Sequence, residues 1–224
     1  MKKMNVKKMM CVVMAVCALS TTSLIAQEET EEAASSRIGT DAGVDVFSSY
    51  VWRGAKFGTG AAFQPWMEFT AGGLTIGSWG SVSTGGVEDM EMDLYVDYSF
   101  DFGLSVTFTD YYFGGNWMDF ETMHFLEPAV SYSYDAFSFT GAYMFGEDTE
   151  DVYVELAYSF DILDVAVGAG DGAYTSSGDF GVCNVTLSKT KEIVVTESFS
   201  IPLVGAVTLN PYNEAFYVYA GISL

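Results

Sequence analysis

Residues Met90–Asp101 read M-E-M-D-L-Y-V-D-Y-S-F-D, and two kinds of side chain alternate through them without a slip. Met90, Met92, Leu94, Val96, Tyr98 and Phe100 share one parity; Glu91, Asp93, Tyr95, Asp97, Ser99 and Asp101 share the other. Successive side chains of a strand point to opposite faces, so this segment predicts a strand with one apolar and one acidic face. The rhythm recurs. Val152, Val154, Leu156, Tyr158 and Phe160 oppose Tyr153, Glu155, Ala157 and Ser159, while Phe137, Phe139, Tyr143 and Phe145 oppose Ser138, Thr140 and Ala142. Tyr and Phe gather toward the segment ends, where aromatic girdles of a membrane barrel would sit.

Twelve segments carry this reading, over 44–53, 63–71, 74–82, 90–100, 104–113, 122–134, 137–146, 152–160, 163–170, 180–188, 193–203 and 214–224. Most have the roughly nine to eleven residues that a tilted strand needs to cross a bilayer. Their connections alternate. Tight ones are expected at 71–73, 101–103, 135–136, 161–162 and 189–192, and mostly longer ones at 54–62, 83–89, 114–121, 147–151, 171–179 and 204–213. That alternation, with an even strand count, predicts an all-β antiparallel transmembrane β-barrel of about twelve strands; ten and fourteen are the alternatives. A secreted β-sandwich shares the alternation but puts fewer aromatics at strand ends.

The N-terminus predicts export. Lys2, Lys3, Lys7 and Lys8 precede the apolar run Met9–Leu19, which is too short to span a bilayer. Cleavage after Ala26 is expected, with Ala18 as the alternative; lipid attachment at Cys17 would need a small residue where Val16 stands. The expected organisation is a signal peptide over 1–26, a flexible acidic tail over 27–43 and the barrel over 44–224. Half of the residues are hydrophobic, yet no later segment has the uncharged run of a spanning helix, so that hydrophobicity must lie in strands. Cys183 is the one cysteine beyond the signal, which excludes an intramolecular disulfide framework there.

Beyond residue 26 the chain has five basic and thirty acidic groups, a formal charge of −25. Such a balance excludes a phosphate-binding nucleic-acid surface. It suits a surface protein or one that attracts cations.

Ser48–Gly54 reads S-S-Y-V-W-R-G, followed by F-Q-P-W-M-E-F, G-S-W-G-S, E-M-D-L-Y-V-D-Y and, near the end, N-P-Y-N-E. In this order the segments resemble the TorF-type porin family, most clearly over 45–112. The resemblance implies an outer-membrane barrel with a channel role and leaves the solute undefined. Phe216, Val218, Ala220, Ile222 and Leu224 form the apolar parity of the last strand, the signal that barrel assembly machinery is expected to read.

Parity assigns the lumen. Asp45, Glu68, Glu91, Asp93, Asp97, Glu127 and Glu155 are expected to face it with Arg53, and Gln64, Trp66, Tyr95, Tyr153, Tyr217 and Tyr219 share that orientation. Arg53 is expected to bridge two or three acids among Glu68, Asp93 and Glu127, since its planar fork accepts paired carboxylates. One guanidinium cannot neutralise seven acids, so the lumen is expected to prefer cations. The tyrosines are expected to fill a narrow lumen, with a sliding surface for sugars or nucleosides as the alternative. Asp110 is expected at the outer rim, and Glu197 marks a bulge or a register error in strand eleven.

His124, the only histidine, lacks a nucleophile signature and is expected to be a solvated loop residue. The loop acids Glu147, Asp148, Glu150, Asp151, Asp171 and Asp179 are expected to be solvated rather than to hold calcium. The chain therefore reads as a Gram-negative outer-membrane channel for small hydrophilic solutes or cations, with no enzymatic activity, cofactor or metal. Its expected partners are outer-membrane lipid and the assembly machinery. The alternative is a closed structural or surface-interaction barrel.

Overall fold

The computed structural model describes residues 38–197 and 199–224. The expected signal peptide and residues 27–37 of the expected tail lie outside the described residues. In chain order the strands are β1 (Ile38–Phe47), β2 (Tyr50–Trp52), β3 (Ala55–Phe57), β4 (Ala62–Ala71), β5 (Leu74–Ser83), β6 (Gly86–Ser99) and β7 (Leu104–Tyr112). They continue as β8 (His124–Tyr134), β9 (Phe137–Gly146), β10 (Thr149–Ser159), β11 (Asp164–Gly170), β12 (Gly181–Thr196), β13 (Phe199–Asn210) and β14 (Ala215–Ser223). All but β2 and β3 form one closed antiparallel barrel of twelve strands.

Closure runs through β1, which pairs with β4 along its whole length and with β14 over a shorter stretch, Asp45 opposite Ser223 and Phe47 opposite Gly221. Val44 and Leu224 exchange both backbone hydrogen bonds at 3.0 Å. A closed sheet leaves no unpaired edge along these contacts, which is the condition for a strand structure to persist in lipid.

The faces are inside out relative to a soluble barrel. Leu94, Val96, Phe108, Leu156 and Val218 stand exposed on the outer surface, whereas Asp45, Gln64, Glu127 and Glu155 are buried within. An apolar surface this continuous is unstable in water and suits hydrocarbon. Strand β6 contains the segment from Met90, with Met92, Leu94 and Val96 outward and Glu91 and Asp93 buried inside.

Several boundaries differ from the sequence reading, among them the connections expected at 83–89 and 147–151, which shorten to 84–85 and 147–148. Strand β1 begins at Ile38, so residues 38–43 of the expected tail are strand, and it ends at Phe47 rather than at 53. Residues 189–192 are not a turn: they lie inside β12, which runs on to Thr196, followed by a turn at Glu197. The polar run K-T-K-E imitates a turn. Here it extends beyond the last pair with β11, Asp164 opposite Ser188, where the end of the barrel tolerates charge. Glu197 therefore belongs to the turn after β12, so the expected register of strand eleven is in error, and the register shift itself lies just before it, between Val194 and Thr196. The expected connection at 204–213 shortens to 211–214, because β13 continues to Asn210.

Leu94→Arg should cost about 2–4 kcal/mol if the site lies near the bilayer midplane. Refolding into lipid vesicles, followed by urea titration and by the shifted gel migration of the unheated barrel, measures this. A variant that folds as well as the parent would show that the outward face does not meet lipid.

Candidate functional site

The connection from β1 to β4 does not pass over the barrel rim; it folds inward as the β2–β3 hairpin. Its legs are clipped at both sides. Ser48 N–H donates to the Ala220 carbonyl at 2.8 Å, and Gly85 N–H donates to the Thr59 carbonyl at 2.8 Å. Tyr50 pairs with Phe57 and Trp52 with Ala55, leaving Arg53-Gly54 as the two turn residues. Their φ angles are +46° and +81°. Positive φ at both positions is what a two-residue turn of the I′ kind needs to match strand twist. Arginine rarely adopts that region, so the strain at Arg53 is sustained by what surrounds it.

Several contacts sustain it. Arg53 Nη1 donates to Glu127 Oε2 at 2.5 Å and Nη2 to Oε1 at 2.8 Å, a fork-to-fork ion pair with both side chains under 10% exposed. Nη1 also donates to the Tyr174 hydroxyl at 2.6 Å. The guanidinium lies 4.4 Å from the ring centres of both Trp52 and Tyr153, and 5.6 Å from that of Tyr174. Tyr174 belongs to a 3₁₀ turn, Gly172–Tyr174, in the loop after β11. Burial pushes its phenol up to about 12, with Arg53 pulling against the rise, so it enters the site as a neutral hydroxyl.

At the tip, a Cβ on Gly54 would overlap the Cys183 carbonyl, and Asn210 Nδ2 donates to the Gly54 carbonyl at 3.2 Å. On the other side the Tyr50 ring sits 5.5 Å from that of Trp79. The Trp52 ring sits 5.7 Å from that of Tyr111 on β7. The hairpin thus reaches walls contributed by β5, β7, β8, β10, β12 and β13.

Arg53 enters the lumen on this hairpin rather than on strand one, and its partner is Glu127 alone among the three acids expected. Glu68 instead accepts from the Tyr95 hydroxyl at 2.6 Å, and Asp97 accepts from Thr107 at 2.6 Å and Ser99 at 2.9 Å. Asp93 and Glu91 are buried on β6, and Asp45 accepts from Ser223 at 2.5 Å. Glu155 accepts from Tyr153 at 2.6 Å and from Asn184 at 2.8 Å. Asn184 Oδ1 accepts from Thr186 at 2.8 Å, Thr186 meets Thr208 at 2.7 Å, and Thr208 meets Tyr219 at 3.3 Å. Tyr217 shares the inward parity of Tyr219 but makes no side-chain hydrogen bond among the described residues. Trp66 is buried against β1, where a Cβ on Gly43 would lie 2.6 Å from its ring.

Tyr111, Tyr174, Asn184 and Asn210 join the site without having been expected there. Asn184 carried a readable signal, the parity it shares with Thr186. Tyr174 carried none, because a loop has no period.

His124 is not solvated. It is buried on the outward side of the rim, with Nδ1 2.8 Å from Asp110 Oδ1 and Nε2 3.0 Å from the Trp117 carbonyl. Phe120 stacks on its ring at 4.4 Å, so the loop at 113–123 covers a polar pair that would otherwise face outward.

No protein-family model matches the chain, and no curated protein matches it by sequence. Among solved structures, a mutant of the Rhodopseudomonas blastica porin aligns at 13% identity and TM-score 0.42, over 73% of this chain and 55% of that one. The chain therefore spans about half the length of that porin. A second mutant of the same porin aligns at 12% identity and TM-score 0.40, over 83% of this chain and 99% of that one. Pseudomonas aeruginosa OccK5 (OpdH) aligns at 12% identity and TM-score 0.34, over 80% and 62%. Likeness at this level adds nothing to the barrel assignment, which stands on the strand pairing.

Glu127→Ala leaves the Arg53 guanidinium buried without its counter-charge, and should destabilise the folded barrel by about 3–5 kcal/mol in urea titrations. It should also release the hairpin to trypsin at Lys56. Gly54→Ala should act in the same direction through its overlap with Cys183. An unchanged cleavage pattern in both would show that aromatic packing alone holds the hairpin.

Proposed function

We propose that this chain is an outer-membrane channel of a Gram-negative bacterium for small hydrophilic solutes, with the β2–β3 hairpin as its constriction. The observation that carries the proposal is the pairing of an apolar exterior with a polar lumen across which Arg53 and Glu127 pin one hairpin. A barrel closed for mechanical reasons alone has no need of an acidic inner wall, which is expensive to bury. The S-S-Y-V-W-R-G segment that resembles TorF-type porins builds this hairpin, and membership of that family is part of the same proposal. Outer-membrane lipid around the barrel, assembly machinery reading β14, and the lack of any catalytic activity complete it.

A preference for cations belongs to the proposal as well. Glu68 on β4 and Glu91, Asp93 and Asp97 on β6 stand on either side of β5 and carry no ion pair among the described residues. Acid rings of this kind concentrate cations and repel anions. One observation favours the rival reading of a closed structural barrel: the hairpin meets the wall on six strands.

Planar-bilayer recordings separate the two. The parent protein should conduct weakly, with a reversal potential of cation sign under a salt gradient. Replacing residues 50–57 by a short Gly-Ser link should raise the conductance several-fold. Silence from both proteins would establish the closed barrel, and an anion-signed potential would overturn the charge preference.

A further inference from the structure

The two sides of the lumen differ in how their polar groups are satisfied. On β10, β12, β13 and β14, the chain from Glu155 through Asn184, Thr186 and Thr208 to Tyr219 is hydrogen-bonded from member to member. On β4, β5 and β6 the pairing is partial: Glu68 accepts from Tyr95 and Asp97 from Thr107 and Ser99, but other inward groups meet no partner. Both amide atoms of Gln64, Nε1 of Trp66 and of Trp79, Oγ of Ser81 and Oδ1 of Asp93 meet no hydrogen-bonding group among the described residues. Gln64, Trp66, Ser81 and Asp93 are each more than nine-tenths buried.

Three of these residues are paired across the sheet. Trp66 stands directly opposite Trp79, and Trp79 directly opposite Asp93. Directly opposed residues of an antiparallel pair have Cβ atoms about 4.5–5.5 Å apart, so side chains two strands apart still reach one small molecule. Tyr50 of the hairpin covers the cluster through its contact with Trp79. Buried polar atoms are nearly always paired, and unpaired ones on an inner wall mark a place where water or a small polar solute can bind.

The donor and acceptor inventory narrows its class. Two indole N–H groups and the Gln64 amide N–H₂ need acceptors; the Asp93 oxygen and the Gln64 carbonyl need donors. A metal ion or an ammonium group has nothing to offer the indoles. An anion would leave Asp93 unmet and be repelled by it and by Glu91. A hydroxyl group both donates and accepts, and several hydroxyls on one compact frame meet both needs at once. The indole and phenol rings add flat apolar faces for its C–H bonds. We infer that the β4–β6 wall beneath Tyr50 is a binding site for an uncharged, hydroxyl-rich solute of monosaccharide size. This deepens the channel reading and rests on it, because it names the solute class of the same lumen.

The test is a titration of the folded full chain in detergent micelles with glucose, read by tryptophan emission, with choline chloride and sodium phosphate as parallel probes. Glucose should give a saturable change, and the two salts should give none. Gln64→Leu removes an unpaired buried amide, so it should leave thermal stability unchanged or higher while weakening glucose binding by about tenfold, one buried hydrogen bond or slightly more. Trp66→Phe keeps the ring and removes the N–H donor, and should weaken binding likewise. Should either variant fail to fold, Ser81→Ala provides the same readout with the least change in volume. Three results would overturn the inference: no saturable glucose response, a response that all three variants leave intact, or saturation by choline or phosphate instead. Conductance without glucose binding would sink the site and spare the channel. Glucose binding without conductance would do the reverse.

Discussion

Lipid offers no hydrogen bonds, and this constraint organises the molecule. Every backbone group facing outward must be paired within the sheet, so β14 has to close on β1. Polar side chains have to turn inward or, like Asp110 and His124, be covered by a loop, so the lumen collects acids, hydroxyls and amides that a soluble core would exclude. An acidic lumen then needs internal partners. Tyr95, Thr107, Ser99 and Asn184 supply neutral ones to Glu68, Asp97 and Glu155, and Arg53 supplies a charged one to Glu127.

Arg53 is an unusual choice for its position, since its backbone is held at a φ of +46°. Asn or Gly would meet the turn with less strain. A side chain from the wall could have paired Glu127 without any hairpin. The guanidinium at the turn does something neither alternative can: it fixes the depth of the tip in the lumen. Desolvating both charges offsets much of their attraction, so the pair contributes position more than net stability. The aromatic rings of Trp52, Tyr153 and Tyr174 serve the same end by walling the guanidinium from water.

Alternation is a local property, and whatever depends only on it was legible in the sequence. Met90–Asp101 needed no information beyond its own residues to reveal strand, faces and orientation. The inward side of Glu68, Asp93, Glu127 and Glu155 followed from the same parity. What parity does not contain is where a strand stops. Tyr50, Trp52 and their neighbours alternate as well in a three-residue hairpin strand as in a barrel strand, so S-S-Y-V-W-R-G read as the end of strand one. The break lies at Ser48-Ser49, where pairing passes from the sheet to a side-chain and backbone clip on Ala220. In β12 the error ran the other way, because Lys189 and Lys191 suggested a turn to a reading that had no knowledge of the barrel's end. His124 was misplaced for a related reason. Its cover comes from Trp117 and Phe120 in a loop without period, folded back over the rim.

The hairpin also makes the lumen asymmetric. Its charged tip is anchored toward β8, β10 and β12, beside the hydrogen-bonded network of β10, β12, β13 and β14, and the guanidinium is enclosed by rings. Its opposite flank, Tyr50, rests on Trp79 beside groups left unpaired. A solute has little to gain on the first side, since each polar atom there would have to give up a protein partner to meet it. On the second side Gln64, Trp66 and Asp93 lose nothing by binding. The proposed channel would therefore have to open where Tyr50 rests on Trp79, because that contact closes the β4–β6 side.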